Sequence, residues 1–470
     1  MQRVRVAADR WNFELAGSGE AIVPLGGNIL NDQHPAQGTL FDQFNAADVD
    51  RRLAIMRDGG LNCLRQAIGV NRLFDPARGL KADGLRNWDT FIALAEKRGI
   101  YLMPVGGYIG GNDWFDVERL ADSGKSLDDS CAFWQAFVSH YAGHPAIWAW
   151  DLRNELVYTT HSHSIAPETP DEAKIDAILK DRWPFWLETR YGTVDAMNRA
   201  YGSAHRSFEA VPGSIDFVEK PFDLCAADFR HYLNDRGYDW CKRQCDVIRA
   251  VSPLHMIVQG NNPWLQADLD LMLSNGFHNR AMHDLFDFVT FHPYPAWQCL
   301  PKGHGDPLGS NAAMQYWLTT CIGMARLDHY NKPVVVQEFG WYGGGESSFF
   351  CPLPYRSEKD HADYTEALCE ALIPHVNGFL NWPTFDMPAA NDISNHGGIF
   401  THDGRAKELA KVYARLSGKL QGKPLQRKCG TTTLTYSLLG LFTCRGYQDT
   451  MWDEVHNVLT AGEVPDFRFI

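Results

Sequence analysis

Two glutamates at the ends of short apolar runs are the residues best placed to do chemistry. Glu155 follows Trp-Asp-Leu-Arg-Asn at 150–154, and Glu338 follows Val-Val-Val-Gln at 334–337. Both runs have strand character, so we expect each carboxyl group at a strand's C-terminal end, where parallel α/β barrels build their active sites. One ionised and one protonated carboxyl group are what hydrolysis of a glycosidic bond with retention of configuration requires.

Four polar residues at predicted strand ends would support that pair. The charge of Arg65 would favour an ionised nucleophile, and the amide of Asn154 would bond the 2-hydroxyl of a sugar. Tyr294 is placed to donate a hydrogen bond to the nucleophile, and His292 to orient the acid or contact the sugar. This chemistry needs neither a metal nor an organic cofactor.

Aromatic residues that follow strand ends are candidate sugar platforms. Trp382 closes the last apolar run, and its ring would cover the C–H face of a sugar while its indole N–H stays free to donate. Three further aromatic residues lie just beyond predicted strand ends and are expected to line the same cleft: Tyr108, Trp114 and Trp341.

Two other kinds of site are disfavoured. His161 and His163 have no carboxylate or cysteine at ligand spacing, so we predict no metal site there. The glycine runs 106–107 and 343–345 open no helix in a phosphate-binding frame, which makes them cleft edges in our interpretation.

The apolar runs repeat along the first 390 residues, each followed by polar or glycine-rich positions and a segment of helical periodicity. Eight such repeats predict an α/β protein with a closed (β/α)8 TIM barrel rather than a doubly wound sheet. Segments 46–60 and 88–99 show the spacing of helices that would cover the barrel. The eight runs span residues 22–28, 61–68, 100–106, 147–153, 255–260, 286–292, 333–338 and 378–382.

Three segments depart from the repeat. Residues 13–22 are predicted to form a hairpin that plugs the N-terminal end of the barrel. Residues 157–253 form a long insertion at the catalytic face, with helical periodicity at 183–191 and 228–250. We therefore expect a catalytic barrel over 1–416 and a C-terminal extension over 417–470, in which 431–442 has the character of one or two strands.

The composition of the chain limits the classes of molecule that it is expected to bind. The 470 residues carry a formal charge of -13, which argues against nucleic acid and fits a neutral carbohydrate substrate. No apolar stretch reaches the length of a membrane span and the start lacks a signal peptide's apolar region, so we expect a cytoplasmic protein unless a signal was removed. The eleven scattered cysteines are expected to be buried thiols. An acidic surface is compatible with a monomer and equally with a homo-oligomer.

Taken in order, these motifs resemble the clan A glycoside hydrolases, which are retaining (β/α)8 enzymes. Over about residues 11 to 415 the chain is most similar to the family 5 cellulases and mannanases, through Arg65, His292 and Tyr294. The resemblance implies that Glu155 is the acid/base and Glu338 the nucleophile. Residues 182–198 resemble instead a helix of family 42 β-galactosidases, and Tyr108 stands where family 5 usually has a histidine.

The sequence thus predicts a retaining β-glycosidase. The long insertion would wall off one end of the cleft and favour exo action or short oligosaccharides. Three alternatives stay open: an endo-acting mannanase or cellulase of the same mechanism, a barrel that binds carbohydrate without cleaving it, and a metal-dependent barrel hydrolase.

Overall fold

The computed structural model describes residues 1–30, 41, 43–107, 125–155, 182–213, 223–260, 282, 284–295, 306–327, 331–341, 353–390 and 392–470. Among these residues, no helix combines the length and apolar character needed to cross a lipid bilayer. The strands are β1 (Val4–Val6), β2 (Phe13–Leu15), β3 (Ala21–Ile22), β4 (Leu25–Asn28), β5 (Cys63–Ala67), β6 (Phe74–Asp75), β7 (Gly79–Leu80), β8 (Tyr101–Val105), β9 (Ala149–Asp151), β10 (Met256–Val258), β11 (Val289–Phe291), β12 (Val334–Phe339), β13 (Phe379–Asn381), β14 (Thr432–Tyr436) and β15 (Pro465–Phe469).

Eight parallel strands form a nearly closed barrel in the order β10-β9-β8-β5-β4-β13-β12-β11. The two end strands are joined by the Asp287 N–H, which donates to the Ile257 carbonyl at 3.0 Å. The Thr290 hydroxyl donates to the Gln259 carbonyl at 2.7 Å across the same gap. Each of the eight predicted runs coincides with one barrel strand to within a few residues, so the predicted (β/α)8 architecture is confirmed.

Helices lie between the barrel strands and cover them. The Asn45 side chain caps the first of these helices by accepting from two backbone N–H groups, and Gly99 ends the third with a φ of 69°. The helices are α1 (Ala46–Asp58), α2 (Val70–Leu73), α3 (Ala82–Arg98), α4 (Lys125–His140), α5 (Trp183–Tyr191), α6 (Val194–Tyr201), α7 (Leu224–Val251), α8 (Asn311–Leu327), α9 (Glu358–Leu372), α10 (Glu408–Leu420), α11 (Leu438–Thr443) and α12 (Arg445–Thr460).

The N-terminal strands β1, β2 and β3 form an antiparallel sheet that includes the predicted hairpin. Phe13 is buried, with its ring centroid 5.5 Å from that of Trp148 and 5.4 Å from that of Phe288, both edge-on. It belongs to the same apolar cluster as Met103 and Val335 of the barrel strands. The sheet therefore packs on the barrel strands from the N-terminal side, as the hairpin prediction required.

The described part of the insertion contains helices at both predicted positions, 183–191 and 228–250, and one further α-helix, Val194–Tyr201. Its helices α5 and α6 are tied to α7 by Asp228, whose carboxylate is fully buried. The Tyr201 hydroxyl donates to Asp228 at 2.8 Å, the Tyr191 hydroxyl donates to the same oxygen, and Arg190 lies 3.1 Å from the other oxygen. Residues 156–181 and 214–222 lie outside the described residues.

The chain after the barrel differs in part from the expectation for 431–442. Only Thr432–Tyr436 is a strand, paired in parallel with β15, and Leu438–Thr443 is the helix α11. Ser437 caps that helix by accepting from the Gly440 N–H at 3.3 Å. The apolar run therefore forms a helix instead of a second strand. The last barrel helix, α10, runs to Leu420, which places residues 417–420 with the barrel.

Candidate active site

The barrel brings both glutamates to one end of the strands. Glu155 follows β9 and Glu338 lies in β12, and both are buried. Together with His292, they offer ligand atoms that all lie within 4.8 Å of one another. An oxygen of one carboxyl group thus lies within 4.8 Å of an oxygen of the other, a proximity that agrees with the roughly 5 Å between the carboxyl groups of retaining glycosidases.

The carboxylate of Glu338 is held through both oxygens. Nη1 of Arg65 lies 3.0 Å from Oε2, and the Tyr294 hydroxyl donates to Oε1 at 2.8 Å. Burial raises the pKa of Glu338 to about 7, while the Arg65 charge and the two hydrogen bonds act in the opposite direction. The surroundings therefore fix the plane of this carboxyl group and favour its ionised form over that of its neighbour.

Arg65 organises the polar side chains around Glu338. Its Nε donates to Asp151 at 2.8 Å and its Nη2 donates to Asn154 Oδ1 at 2.8 Å. The Oδ1 of Asn28 accepts from Nη1 at 3.2 Å. Because Asn154 accepts from Arg65 through its oxygen, its amide nitrogen is left to donate, as the predicted contact to a sugar hydroxyl requires.

The backbone at Glu155 is unusual. Its φ is 50°, in the left-handed region that non-glycine residues rarely adopt. The conformation is held by hydrogen bonds from the Asn154 N–H to the Gly107 carbonyl at 2.8 Å and from the Glu155 N–H to the Gly260 carbonyl at 3.0 Å. Neighbouring strand ends thus hold a strained residue in place, and such strain often occurs at functional sites.

Glu155 is in a less polar environment than Glu338. Burial raises the pKa of Glu155 well above its ordinary value, and the negative charge of Glu338 raises it further. Oε1 of Glu155 lies 2.8 Å from Nδ1 of His292. Burial and the Arg65 charge lower the pKa of His292 well below its usual range, so this imidazole is neutral. Of the two carboxyl groups, Glu155 is therefore the one that keeps its proton.

Trp382 shares an apolar cluster with Tyr294, which contacts Glu338, but it differs from the prediction in one respect. It is buried in a small apolar cluster with Tyr294 and Ile29 at the carboxyl ends of the strands. Its indole N–H donates to the Ser394 hydroxyl at 2.9 Å, so the expectation that this N–H stays free to donate was wrong. Ser394 comes from the short 3-10 helix Ile393–Asn395 after β13 and fixes the orientation of the ring.

Of the three other predicted aromatic residues, Trp341 lies within the described residues. Trp341 is buried against α9, with its ring centroid 5.4 Å from that of Tyr364 and its N–H donating to the Pro354 carbonyl at 3.0 Å. It belongs to the main apolar core rather than to the small cluster that contains Tyr294 and Trp382. Tyr108, Trp114, His161 and His163 lie outside the described residues.

Three polar residues of the site were not predicted from the sequence. Asp151 accepts from Arg65, Gln337 and the Gly260 N–H, and it is fully buried. Gln337 precedes Glu338 within β12, and Asn28 ends β4 with its amide nitrogen 2.9 Å from the Gln337 carbonyl. The sequence feature that could have identified them is a polar residue within an otherwise apolar barrel run. Such a residue is costly to bury unless it has hydrogen-bond partners.

Among the described residues, Glu155, His292 and Glu338 are the group with ligand atoms close enough to hold a cation. The guanidinium of Arg65 lies 3.0 Å from one of those oxygens. Its positive charge opposes a second cation at the same place.

The chain is similar in part to two glycoside hydrolase families. A family 42 model, described as β-galactosidase, matches residues 128–335. A β-galactosidase from Thermus thermophilus is 27% identical over 151 residues, 31% of this chain and 21% of that protein. A probable mannan endo-1,4-β-mannosidase F from Aspergillus oryzae is 31% identical over 147 residues, 24% of this chain and 30% of that protein. The matches thus span less than a third of each of these two relatives.

The fold matches solved structures over more of its length. An exo-β-1,4-mannosidase from Opitutaceae bacterium strain TAV5 superposes with a TM-score of 0.63 at 17% identity, over 99% of this chain and 72% of that one. At 17% identity, this similarity is evidence for the fold alone. Together with the partial matches above, it confirms the resemblance to clan A glycoside hydrolases, with similarity to both family 5 and family 42.

Proposed function

We propose that the chain is a retaining β-glycoside hydrolase that works by double displacement. The observation that carries the proposal is the pair of buried carboxyl groups of Glu155 and Glu338, which have oxygen atoms within 4.8 Å of each other in unlike surroundings. Arg65 and Tyr294 contact the carboxyl group of Glu338, and the Nδ1 of neutral His292 lies 2.8 Å from the carboxyl group of Glu155. One group is thereby prepared as an anion and the other as an acid.

In the first step, Glu338 attacks the anomeric carbon while Glu155 gives its proton to the leaving oxygen. The C–O bond to the leaving group breaks as the bond to Glu338 forms, which yields a covalent glycosyl ester on Glu338. In the second step, Glu155 takes a proton from water, the water oxygen attacks the anomeric carbon, and Glu338 leaves as a carboxylate.

Two binding contacts support these steps. The amide nitrogen of Asn154 is oriented toward donation by the Arg65 contact to its oxygen, and it would bond the 2-hydroxyl of the reacting sugar. The ring of Trp382, held by Ser394, would cover the apolar face of the same sugar. Both contacts suit an uncharged glycoside, in keeping with the acidic chain.

The substrate class we propose is a β-galactoside or β-mannoside, because partial relatives carry the names β-galactosidase and mannan endo-1,4-β-mannosidase. Exo action is the preferred mode, since the insertion begins in the chain directly after the acid and its described helices are anchored through Asp228. Endo cleavage of a β-mannan is the second candidate, favoured by the Aspergillus oryzae match. A cytoplasmic location and homo-oligomer formation stay predictions.

Proton NMR of the reaction mixture tests the proposal. Aryl β-galactosides, β-mannosides and β-glucosides are each incubated with the enzyme, with and without a chelator, and the first-formed anomer is recorded. We expect the β-anomer to appear first and the chelator to have no effect. First formation of the α-anomer would overturn the retaining mechanism, and loss of activity to the chelator would favour the metal-dependent alternative. Binding of these sugars without cleavage would favour the non-catalytic barrel.

A further inference from the structure

Four buried side chains form a continuous chain of hydrogen bonds that ends at the proposed acid. Oδ2 of Asp151 accepts from Nε2 of Gln337 at 2.9 Å. Oε1 of Gln337 lies 3.0 Å from Nε2 of His292, and Nδ1 of His292 lies 2.8 Å from Oε1 of Glu155. Asp151, Gln337 and His292 are fully buried, so solvent does not compete for these contacts.

The first link fixes which way the amide of Gln337 points. Asp151 is held by Arg65 Nε at 2.8 Å and by the Gly260 N–H at 2.9 Å, so its oxygens face donors. The Gln337 group that faces Asp151 must therefore be the NH2, which also lies 2.9 Å from the sulfur of Met103. Reversing the amide would set its oxygen against the carboxylate of Asp151. The oxygen of Gln337 consequently faces His292.

The second link fixes the tautomer of His292. An amide oxygen can only accept, so Nε2 of His292 carries a hydrogen. Burial and the nearby Arg65 charge lower the pKa of His292, so the ring carries one hydrogen and Nδ1 is a lone pair. A lone pair facing Oε1 of Glu155 at 2.8 Å requires that oxygen to be the donor.

We propose that Gln337 is a positioning residue that, through His292, keeps the proton on Glu155. While the substrate is intact, Glu155 donates to Nδ1 of His292 and remains the acid. After Glu155 has protonated the leaving group, its carboxylate faces a lone pair, which strengthens it as the base that takes a proton from water. No proton moves along the chain in either step.

Three other charged groups lie near Glu155 and His292, and their effects are compatible with this role of Gln337. Glu338 disfavours an ionised Glu155, and Arg65 favours it. Asp151 is screened from His292 by the amide of Gln337. Among the described residues, Gln337 is therefore the neutral group that decides which nitrogen of His292 is protonated.

The test combines a nitrogen-15 NMR spectrum with enzyme kinetics. The kinetic part rests on the proposed function, whereas the spectrum does not. In protein labelled with nitrogen-15 histidine, His292 is assigned by comparison with His292→Gln. We expect a neutral ring with the hydrogen on Nε2. A ring with the hydrogen on Nδ1, or an imidazolium, would overturn the proposal even if the enzyme cleaves no tested glycoside.

The variant Gln337→Met removes both hydrogen bonds at nearly constant side-chain volume. The alkaline limb of its kcat/KM profile should move down by about one pH unit, because Nδ1 becomes able to donate to an ionised Glu155. On the alkaline limb, kcat/KM for phenyl glycosides should fall by up to about tenfold, the loss that a shift of about one pH unit produces, while that for 2,4-dinitrophenyl glycosides, which need little acid assistance, should change less than about threefold. The control Gln244→Met alters a buried, hydrogen-bonded glutamine of α7 and should leave both unchanged.

An unchanged alkaline limb in folded Gln337→Met would contradict the positioning role while leaving the hydrolase intact. Equal losses on both kinds of leaving group would also contradict it, because they would indicate general damage to the site. If this variant does not fold, the wild-type spectrum alone decides. Failure of the wild type to cleave any glycoside would instead count against the proposed function.

Discussion

Arg65 and Glu338 form an ion pair inside the barrel, with 3.0 Å between Nη1 and Oε2. Arg65 is fully buried, and it also pairs with Asp151 through Nε at 2.8 Å. One guanidinium thus forms ion pairs with two buried carboxylates from different strands. Breaking such an arrangement leaves an uncompensated buried charge, which is why the guanidinium controls the ionisation of Glu338.

Arg65→Met should shift the acid limb of kcat/KM upward by about one to two pH units, because an opposite charge that lowers the pKa of Glu338 is lost. At neutral pH, kcat/KM should fall about a hundredfold, since less nucleophile is ionised and the carboxylate is less firmly oriented. Steady-state kinetics across pH measure both effects. The control Arg52→Met, at a buried arginine paired with Asp48 on α1, should retain wild-type kcat/KM. An unshifted acid limb would contradict the role given to Arg65.

The wild-type profile of kcat/KM against pH should be bell-shaped. Activity requires an ionised Glu338, so it rises as pH increases through the pKa of that group, which is about 7. It also requires a protonated Glu155, whose pKa is raised further by burial and by Glu338, so activity falls at still higher pH. The optimum is expected on the alkaline side of neutrality. An acid limb centred on 4.5, the ordinary value of a glutamate, would show that burial does not control the nucleophile.

Ser394→Ala should weaken substrate binding through Trp382. The mutation removes the acceptor of the indole N–H at 2.9 Å, and the ring loses its fixed orientation as a sugar platform. We expect KM to rise about threefold to tenfold with a smaller change in kcat, since one buried hydrogen bond is lost. Ser252→Ala, at another buried serine that contacts His255 at 2.9 Å, is the matched control and should leave KM unchanged. A fall in kcat alone would argue against a platform role.

A glycine pair tests how the C-terminal segment is attached. A Cβ at Gly323 of α8 would lie 2.8 Å from Trp452 Cζ3 and 2.8 Å from Val455 Cγ1, both in α12. Gly323→Ala should therefore lower the free energy of unfolding by about 1–3 kcal/mol through overpacking. Gly418→Ala, on an exposed face of α10 with nothing within 4 Å, should raise it by about 0.5–1 kcal/mol. Denaturant unfolding measures both, and equal effects would show that α12 does not pack firmly on α8.

The sequence was sufficient to place Glu155 and Glu338 together, because parallel strands of a barrel end at one face. The same reasoning placed Arg65, His292 and Tyr294 correctly beside them. Glu155, His292 and Tyr294 follow barrel strands within four residues, Glu338 is the last but one residue of β12, and Arg65 is the middle residue of β5. Along such short strands, position in the chain nearly determines position in space.

The supporting contacts were beyond sequence reasoning for physical reasons. All six residues of β12 are buried, so no alternation of polar and apolar residues shows that Gln337 reaches His292. The partner of the Trp382 indole is Ser394, which lies 12 residues later in a connection whose path the sequence does not determine. At Leu438–Thr443 an apolar run that resembled a strand became a helix because Ser437 caps it.

The central claim is a covalent glycosyl ester on Glu338, and intact-mass analysis with 2-deoxy-2-fluoro β-galactosides and β-mannosides tests it most directly. The fluorine slows hydrolysis of the ester, so the wild type should gain the mass of one fluorosugar. Peptide mapping should place the label on Glu338, and Glu338→Gln should gain nothing. Labelling of Glu155, or of any other residue, would contradict the account, as would turnover of the corresponding ordinary glycosides by Glu338→Gln at the wild-type rate.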